Sequence, residues 1–177
     1  MSTIDVKSKY LAGVISDAQM IRLVRLGSLG NPIGITTAEF EDITGKKLSD
    51  VISLDDAKTF QHGTVNGKRE TAREVKTASY DNDEFEVNRT SQTNLTALTV
   101  AAQMTIAAGQ TDKKFIFRSA TNTDHEFTPA QVCELALIVA AKIQEIYEES
   151  WKVKSQIDSA ETVEDVFNAV TVDTLAA

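Results

Sequence analysis

The stretch TPAQVCELALIVAAKIQEIYEESWKVKSQID, residues 128–158, decides the fold of this chain. Thr128 suits a helix cap, and Gln131 completes a capping box three residues later. Apolar residues then recur at three- and four-residue steps, and no helix breaker interrupts them. The pattern predicts one helix over about 129–158, roughly 45 Å long at about 1.5 Å per residue. Because this length exceeds what the core of one small domain needs, we expect one end to project or to pack against another subunit.

The residues around the long helix predict a mixture of helices and hairpins. The expected elements are a helix over 68–79, a hairpin within 80–87, an alanine-rich helix from Thr90 or Ser91 to Gly109, a second hairpin over 114–127, and a short last helix capped by Thr162. The sequence therefore predicts a fold that is mainly α with two short β-hairpins (α+β), and a C-terminal domain over residues 68–177.

The predicted helix over 68–79 carries a basic stripe that includes Arg69 and Arg73. One interpretation is a solvated face that Glu70 and Glu74 neutralise. The other is a docking surface for an acidic partner chain. The sequence leaves both open.

The first 45 residues predict a separate module of three short helices, at about 3–12, 16–28 and 37–44. Two capping boxes mark the second and third helix starts, since Ser16 and Thr36 are each followed three residues later by Gln19 and Glu39. Glycines at 13 and 45 suit the left-handed position that ends a helix.

A connector is expected at residues 46–67, between this module and the C-terminal domain. It holds a short candidate helix that Ser53 caps. Gln61-His62-Gly63 and Asn66-Gly67 are then expected to break regular structure.

The composition is that of a folded, acidic protein, with 42% hydrophobic and 25% charged residues. The net charge of −8 argues against nucleic acid as a partner, because phosphate binding depends on clustered lysine and arginine. No apolar run is long enough to span a bilayer, and the first residues lack the basic and then apolar order of a signal peptide. We therefore expect neither a nucleic-acid nor a membrane partner.

Catalytic and metal-binding patterns are absent from the sequence. The two histidines, His62 and His125, fall in different predicted modules, and no spacing of histidine, cysteine or carboxylate suits zinc. His125 lies between Asp124 and Glu126 like part of a catalytic set, but no nucleophile is placed near it. The acidic run 81–84 lacks the glycine and the distal glutamate of a calcium loop, which favours a turn. We expect no catalytic residues, no cofactor and no metal, and not an enzyme.

The first quarter of the chain carries a tyrosine followed by a glycine, and then a helix that ends near a second glycine. It closes with a unit that consists of Ile-Thr, an acidic residue, an aromatic residue and Ile-Thr-Gly. These are Val6, Tyr10, Gly13, Val24, Gly27, Ile35-Thr36, Glu39, Phe40 and Ile43-Thr44-Gly45. Their order resembles the XkdX family of small proteins encoded beside tail genes in phages and prophages. The chain departs from that family in one place, a Gly- and Pro-containing loop inserted at Ser28 to Gly34.

The elements predicted from about Lys68 to Val170 follow a second characteristic order. It runs from the basic helix and a Tyr-Asp-rich hairpin, through an alanine-rich helix and an aromatic strand, to a long helix ending in Trp151, Lys154 and Ile157-Asp158. This order is similar to an uncharacterised domain family found in phage tail genes, some members of which look like parts of tail-fibre assembly proteins. Phe117 stands in the region where that family usually carries a tryptophan.

Both resemblances imply a structural component of a bacteriophage tail tip or baseplate, located in the virion after synthesis in the host cytoplasm. The partners implied are other tail, baseplate or fibre proteins, with further copies of the same chain as a homo-oligomer. A tail-fibre assembly chaperone that is absent from the mature particle is the first alternative. The second is an acidic inhibitor of a host factor, although the acidic residues alternate with lysine and arginine instead of forming one face.

Seven residues are candidates for contact with such partners. They combine apolar or aromatic side chains of the N-terminal module, the basic stripe, and one tryptophan near the end of the long helix. The candidates are Tyr10, Val24, Phe40, Ile43, Arg69, Arg73 and Trp151.

Overall fold

The computed structural model describes residues 3–28, 33–171 and 173–175. These residues contain seven α-helices and two antiparallel hairpins. In chain order the elements are α1 Thr3–Leu11, α2 Asp17–Ser28, α3 Thr37–Thr44, a 3₁₀ turn Leu48–Asp50, α4 Leu54–Val75, β1 Thr77–Tyr80, β2 Asp83–Glu86, α5 Arg89–Ala107, β3 Phe115–Arg118, β4 Asp124–Phe127, α6 Pro129–Ser159 and α7 Val163–Asn168. The predicted fold class, mainly α with two short hairpins, is confirmed.

Side-chain caps start the helices where the sequence predicts them. The amide nitrogen of Ser16 donates to Gln19 Oε1 at 2.8 Å, and Thr36 with Glu39 forms a complete capping box before α3. The same reciprocal pair of bonds joins Thr128 and Gln131 before α6. Each cap satisfies amides that have no partner within the helix, so the helix start is fixed locally.

The chain divides into two compact units, and α4 and α6 contribute residues to both. Unit 1 combines residues 1–68 with 149–176, and unit 2 comprises residues 69–148. This division differs from the predicted modules 1–45, 46–67 and 68–177, because the last part of the chain belongs with the first.

The predicted break in the connector is wrong, since α4 continues through Gly63 and Asn66-Gly67 to Val75. Glycine inside a helix costs about 1 kcal/mol relative to alanine, which packing can offset. Ala57, Gln61 and Val65 follow one another at four-residue steps and are fully buried. This buried face maintains the helix across both glycines.

The C-terminal end of α6 does not project, and the alternative expectation, that the helix packs against another subunit, stays a prediction. Its C-terminal end belongs to unit 1, where Ser150 and Ile157 are fully buried. Lys58 Nζ donates to the carbonyl oxygen of Asp158 at 2.8 Å, and His62 Nε2 lies 2.8 Å from Asp158 Oδ1. The helix is long because its two ends contribute to two cores.

Two smaller boundaries also differ from the predictions. The helix expected over 68–79 ends at Val75, because Thr77 begins β1 and pairs with Glu86. α5 starts at Arg89, and Asn88 caps it by accepting a bond from the Ser91 amide.

The inserted loop at Ser28 to Gly34 lies largely outside the described residues. Its two ends meet backbone to backbone, since a Cβ at Gly34 would overlap the amide nitrogen of Gly27. The Ile35 amide then donates to the carbonyl oxygen of Leu23 at 3.0 Å. The two glycines permit this approach because neither has a side chain.

Candidate functional site

A polar cluster joins the two hairpins of unit 2, and we call it the hairpin clamp. Its members are Asp83 on β2, Ser119 and Thr121 in the β3–β4 turn, and His125 on β4. The Nε2 atom of His125 lies 2.8 Å from Asp83 Oδ2, and Thr121 Oγ1 is 2.9 Å from both oxygens of Asp83. The main chain adds a direct bond, because the Ala120 amide donates to the Glu84 carbonyl oxygen at 2.7 Å.

The clamp holds its carboxylate in the ionised form. The hydrogen bond from His125 is the largest of several that bring the pKa of Asp83 far below its ordinary value, and the hydroxyls of Ser119 and Thr121 act in the same direction. The Glu84 amide also donates to Asp83 Oδ1, at 2.8 Å. The carboxylate of Asp83 therefore accepts hydrogen bonds from His125, from Thr121 and from the main chain.

Aromatic rings surround the imidazole of the clamp. His125 stacks on Phe127 with 9° between the ring planes, and it meets Phe85 in an edge-to-face arrangement at a centroid distance of 5.4 Å. Tyr80 packs 5.6 Å from Phe127 and donates its hydroxyl to Glu134 Oε2 at 2.7 Å. Burial and that bond raise the pKa of Tyr80 to about 12, so the phenol remains a donor at physiological pH.

The geometry of the clamp suits a structural role better than a chemical one. A nucleophile activated by His125 would need its hydroxyl on the imidazole, whereas Ser119 and Thr121 bind the carboxylate. Asp124, which the sequence places beside His125, instead pairs with Arg118 at 2.7 Å. Among the described residues, no group of three or more histidine, cysteine or acidic side chains is arranged to hold a metal ion.

Three of the predicted contact residues lie in the core of unit 1. Val24, Phe40 and Ile43 are exposed by 1%, 0% and 3% of their surface, so the prediction that they contact a partner does not fit their burial. Their helices are amphipathic, and the apolar side faces the core of the same unit.

Tyr10, the fourth N-terminal candidate, is half-buried and holds the three short helices together. Its hydroxyl donates to Asp17 Oδ1 at 2.7 Å, while Lys46 Nζ pairs with Asp17 Oδ2 at 2.8 Å. The bond from Lys46 is the main cause that lowers the pKa of Asp17, and the bond to Asp17 raises the pKa of Tyr10. This network links α1, the start of α2 and the residues after α3.

The predicted basic stripe is engaged within the chain. The guanidinium groups of Arg69 and Arg73 lie 4.7 and 5.8 Å from the ring centre of Tyr147, and both pair with Glu70. Lys68 Nζ donates to the carbonyl oxygens of Thr171 and Thr174 at 2.9 and 3.1 Å. These contacts favour the interpretation of a neutralised face, with Glu70 as the acid that neutralises it.

The comparison with protein families adds one result. The sequence model of the family Domain of unknown function (DUF4376) matches residues 56–172. The chain belongs to this family. No curated protein and no solved structure matches the chain.

The match to DUF4376 begins inside α4 and extends beyond α7, so it includes unit 2 and the C-terminal part of unit 1. α1, α2 and α3 lie outside the family match. Within the described residues, no helix is long and apolar enough to cross a membrane.

Exposed apolar side chains mark two surfaces of this DUF4376 member that the sequence did not single out. On unit 1, Leu11 and Val14 are 71% and 65% exposed on either side of the turn at Gly13. On unit 2, Val100 and Met104 of α5 are 53% and 69% exposed. The sequence signals were two apolar residues on either side of a left-handed glycine, and a helix that carries no charge after Arg89.

Trp151, the last predicted contact residue, is 51% exposed on the part of α6 that belongs to unit 1. Its ring is therefore accessible to a partner. An amphipathic aromatic side chain at the surface is typical of residues that contribute strongly to protein–protein binding.

Proposed function

We propose that this protein is a structural component of a bacteriophage tail tip or baseplate, which attaches to a neighbouring tail protein through its N-terminal helices. The observation that carries the proposal is the exposed apolar turn between α1 and α2. Leu11 and Val14 present their side chains there, on the segment whose sequence resembles the XkdX family.

The turn is fixed before any partner binds. Gly13 has a φ of 72°, and the amides of Gly13 and Val14 donate to the carbonyl oxygens of Tyr10 and Lys9, both at 2.9 Å. A surface that is already ordered pays less conformational entropy on association. A rigid turn therefore suits permanent attachment better than a flexible segment of chain would.

The three helices behind the turn are tied to one another by charged contacts. Besides the network of Tyr10, Asp17 and Lys46, Lys7 Nζ pairs with Asp42 at 2.9 Å. These contacts connect α1 with the end of α3. They support the rigid presentation of Leu11 and Val14.

The proposal is tested on purified virions of the phage that encodes this chain, by quantitative mass spectrometry. We expect several copies per particle. The double variant Leu11→Glu/Val14→Glu should be lost from particles at least about tenfold while its level in the lysate is maintained, because two desolvated carboxylates oppose the contact. Val75→Glu, at another exposed apolar residue, is the matched control and should be incorporated normally.

Two outcomes would contradict the proposal. A wild-type chain that is abundant in the lysate but missing from virions would instead indicate the tail-fibre assembly chaperone. Normal incorporation of the double variant would show that the turn at Gly13 does not form the attachment surface.

A further inference from the structure

Most residues of α5 in unit 2 are exposed, and none after Arg89 is charged. From Thr90 to Thr111 the sequence has no aspartate, glutamate, lysine, arginine or histidine. Of the 19 residues of the helix, only Leu95, Ala102 and Thr105 are buried. A soluble helix that faces only water normally carries charged residues on its outer side.

The uncharged surface continues from α5 onto α6. A groove of about 340 Å³ lies between the two helices, and none of its lining residues is ionisable. Val100 and Gln103 line it from α5, and Ala140 and Ile143 line it from α6. Leu137, which follows the groove residue Ala136, is 72% exposed.

The charge of the molecule indicates what this surface binds. Two copies of a chain with a net charge of −8 repel each other over most of their surface. A patch without ionisable groups avoids that repulsion, and it is complementary to itself because no charge on it requires an opposite charge on the partner. A twofold symmetric dimer uses the same patch on both subunits.

The shape and size of the surface also suit a second copy. The exposed ridge of α5 from one chain can enter the α5–α6 groove of the other, which produces a layer of four helices. A helix of 19 residues is about 28 Å long, and two adjacent helices are about 20 Å wide. The projected area is thus about 560 Å² per partner, or roughly 1,100 Å² in total, which exceeds the roughly 1,000 Å² expected of a specific interface.

We propose that the α5–α6 surface is the dimer interface of this protein, with a second copy of the chain as its occupant. Val100 lines the groove near the middle of α5, so a twofold axis through the centre of this surface passes close to it. This inference does not depend on the attachment through Leu11 and Val14, because the dimer forms in the purified chain.

Sedimentation velocity of the full-length chain tests the proposal. Wild type should sediment as a dimer of twice the 19.3 kDa chain mass at about 10–100 μM. Val100→Glu and Met104→Glu should each raise the dimer dissociation constant by about 100-fold or more, because they place like charges opposite each other. Val75→Glu, at an exposed apolar residue of α4 that does not line the groove, is the matched control and should leave the dimer intact. Unchanged circular dichroism must accompany the loss of the dimer.

Disulfide cross-linking locates the interface without disturbing its charge. In a Cys133→Ser background, Val100→Cys should form an intermolecular disulfide on mild oxidation, because the two cysteines face each other across the axis. A cysteine placed at Val14 should not. A wild-type chain that remains monomeric at about 100 μM overturns the proposal. So does a dimer that persists in Val100→Glu, or a chain that stays monomeric and binds a protein of different sequence through Val100.

Discussion

The imidazole of His125 and the carboxylate of Asp83 meet at 2.8 Å, although 42 residues separate them in the chain. The contact ties β4 to β2 and thereby joins two hairpins that have no strand pairing in common. A two-stranded hairpin alone is at best marginally stable in water. The hairpin clamp, with the aromatic rings of Phe85 and Phe127 around it, makes one folded body from two weak elements.

Removing the carboxylate of the clamp should destabilise unit 2. Asp83→Asn deprives His125 and Thr121 of a charged acceptor, so we expect Tm to fall by several degrees in a calorimetric scan. Asp81→Asn, in the exposed turn of the same hairpin, is the matched control and should change Tm little. Equal Tm values for the two variants would show that the clamp contributes nothing to stability.

The stability of the protein should decrease at acidic pH in a way that Asp83 partly controls. Its pKa in the folded chain lies far below the ordinary value of about 4, so its contribution is fully present above that value and is lost as pH falls further. Denaturant titrations between about pH 6 and pH 2 should show the free energy of unfolding decreasing below about pH 4. The decrease should be smaller in Asp83→Asn. A variant with the same pH profile as wild type would contradict this account.

The two glycines inside α4 should be replaceable with a gain in stability. A Cβ at Gly63 or Gly67 would meet no atom within 4 Å, and both residues are in the middle of the helix. Each change to alanine should raise the free energy of unfolding by up to about 1 kcal/mol, measured by denaturant titration. Gly45→Ala is the contrasting variant, because a φ of 68° there should make the alanine destabilising.

Two aromatic residues predicted to contact a partner should behave differently when truncated. Phe40→Ala removes a fully buried ring from the core of unit 1 and should cost about 3–5 kcal/mol of stability. Trp151→Ala, at a half-exposed ring, should cost about 1 kcal/mol or less in the isolated chain. Thermal or urea unfolding measures both. A large cost at Trp151 would mean that its ring is held within unit 1 instead of being available to a partner.

The features that the sequence predicts well are the local ones. The bonds from Thr36 to Glu39 and from Thr128 to Gln131 span three residues, so the residue types alone specify them. The turn at Asp81 and Asn82 is equally local, because both residues have the positive φ of a tight hairpin. These signals are sufficient for the fold class and for most helix boundaries.

The features that the sequence misses depend on distant parts of the chain. Val24, Phe40 and Ile43 form a regular apolar pattern, and the pattern alone does not distinguish a core from a binding surface. Gly63 and Asn66-Gly67 are helix breakers by propensity, but the buried face of α4 outweighs them. The partner of His125 comes from another hairpin, and no spacing rule identifies it.

Unit 1 combines the first and last parts of the chain, so its core can form completely only after the last part has been synthesised. Residues 69–148 leave the ribosome before the segment 149–176 that completes unit 1, and domains generally fold as units while the chain emerges. Unit 2 can therefore acquire its structure first, while the first helices still lack Ile157, Val166 and Phe167 from their core. A chain that stops near residue 148 would leave that apolar core open to water and prone to aggregation. The segment 149–176 thus determines when the core of unit 1 closes.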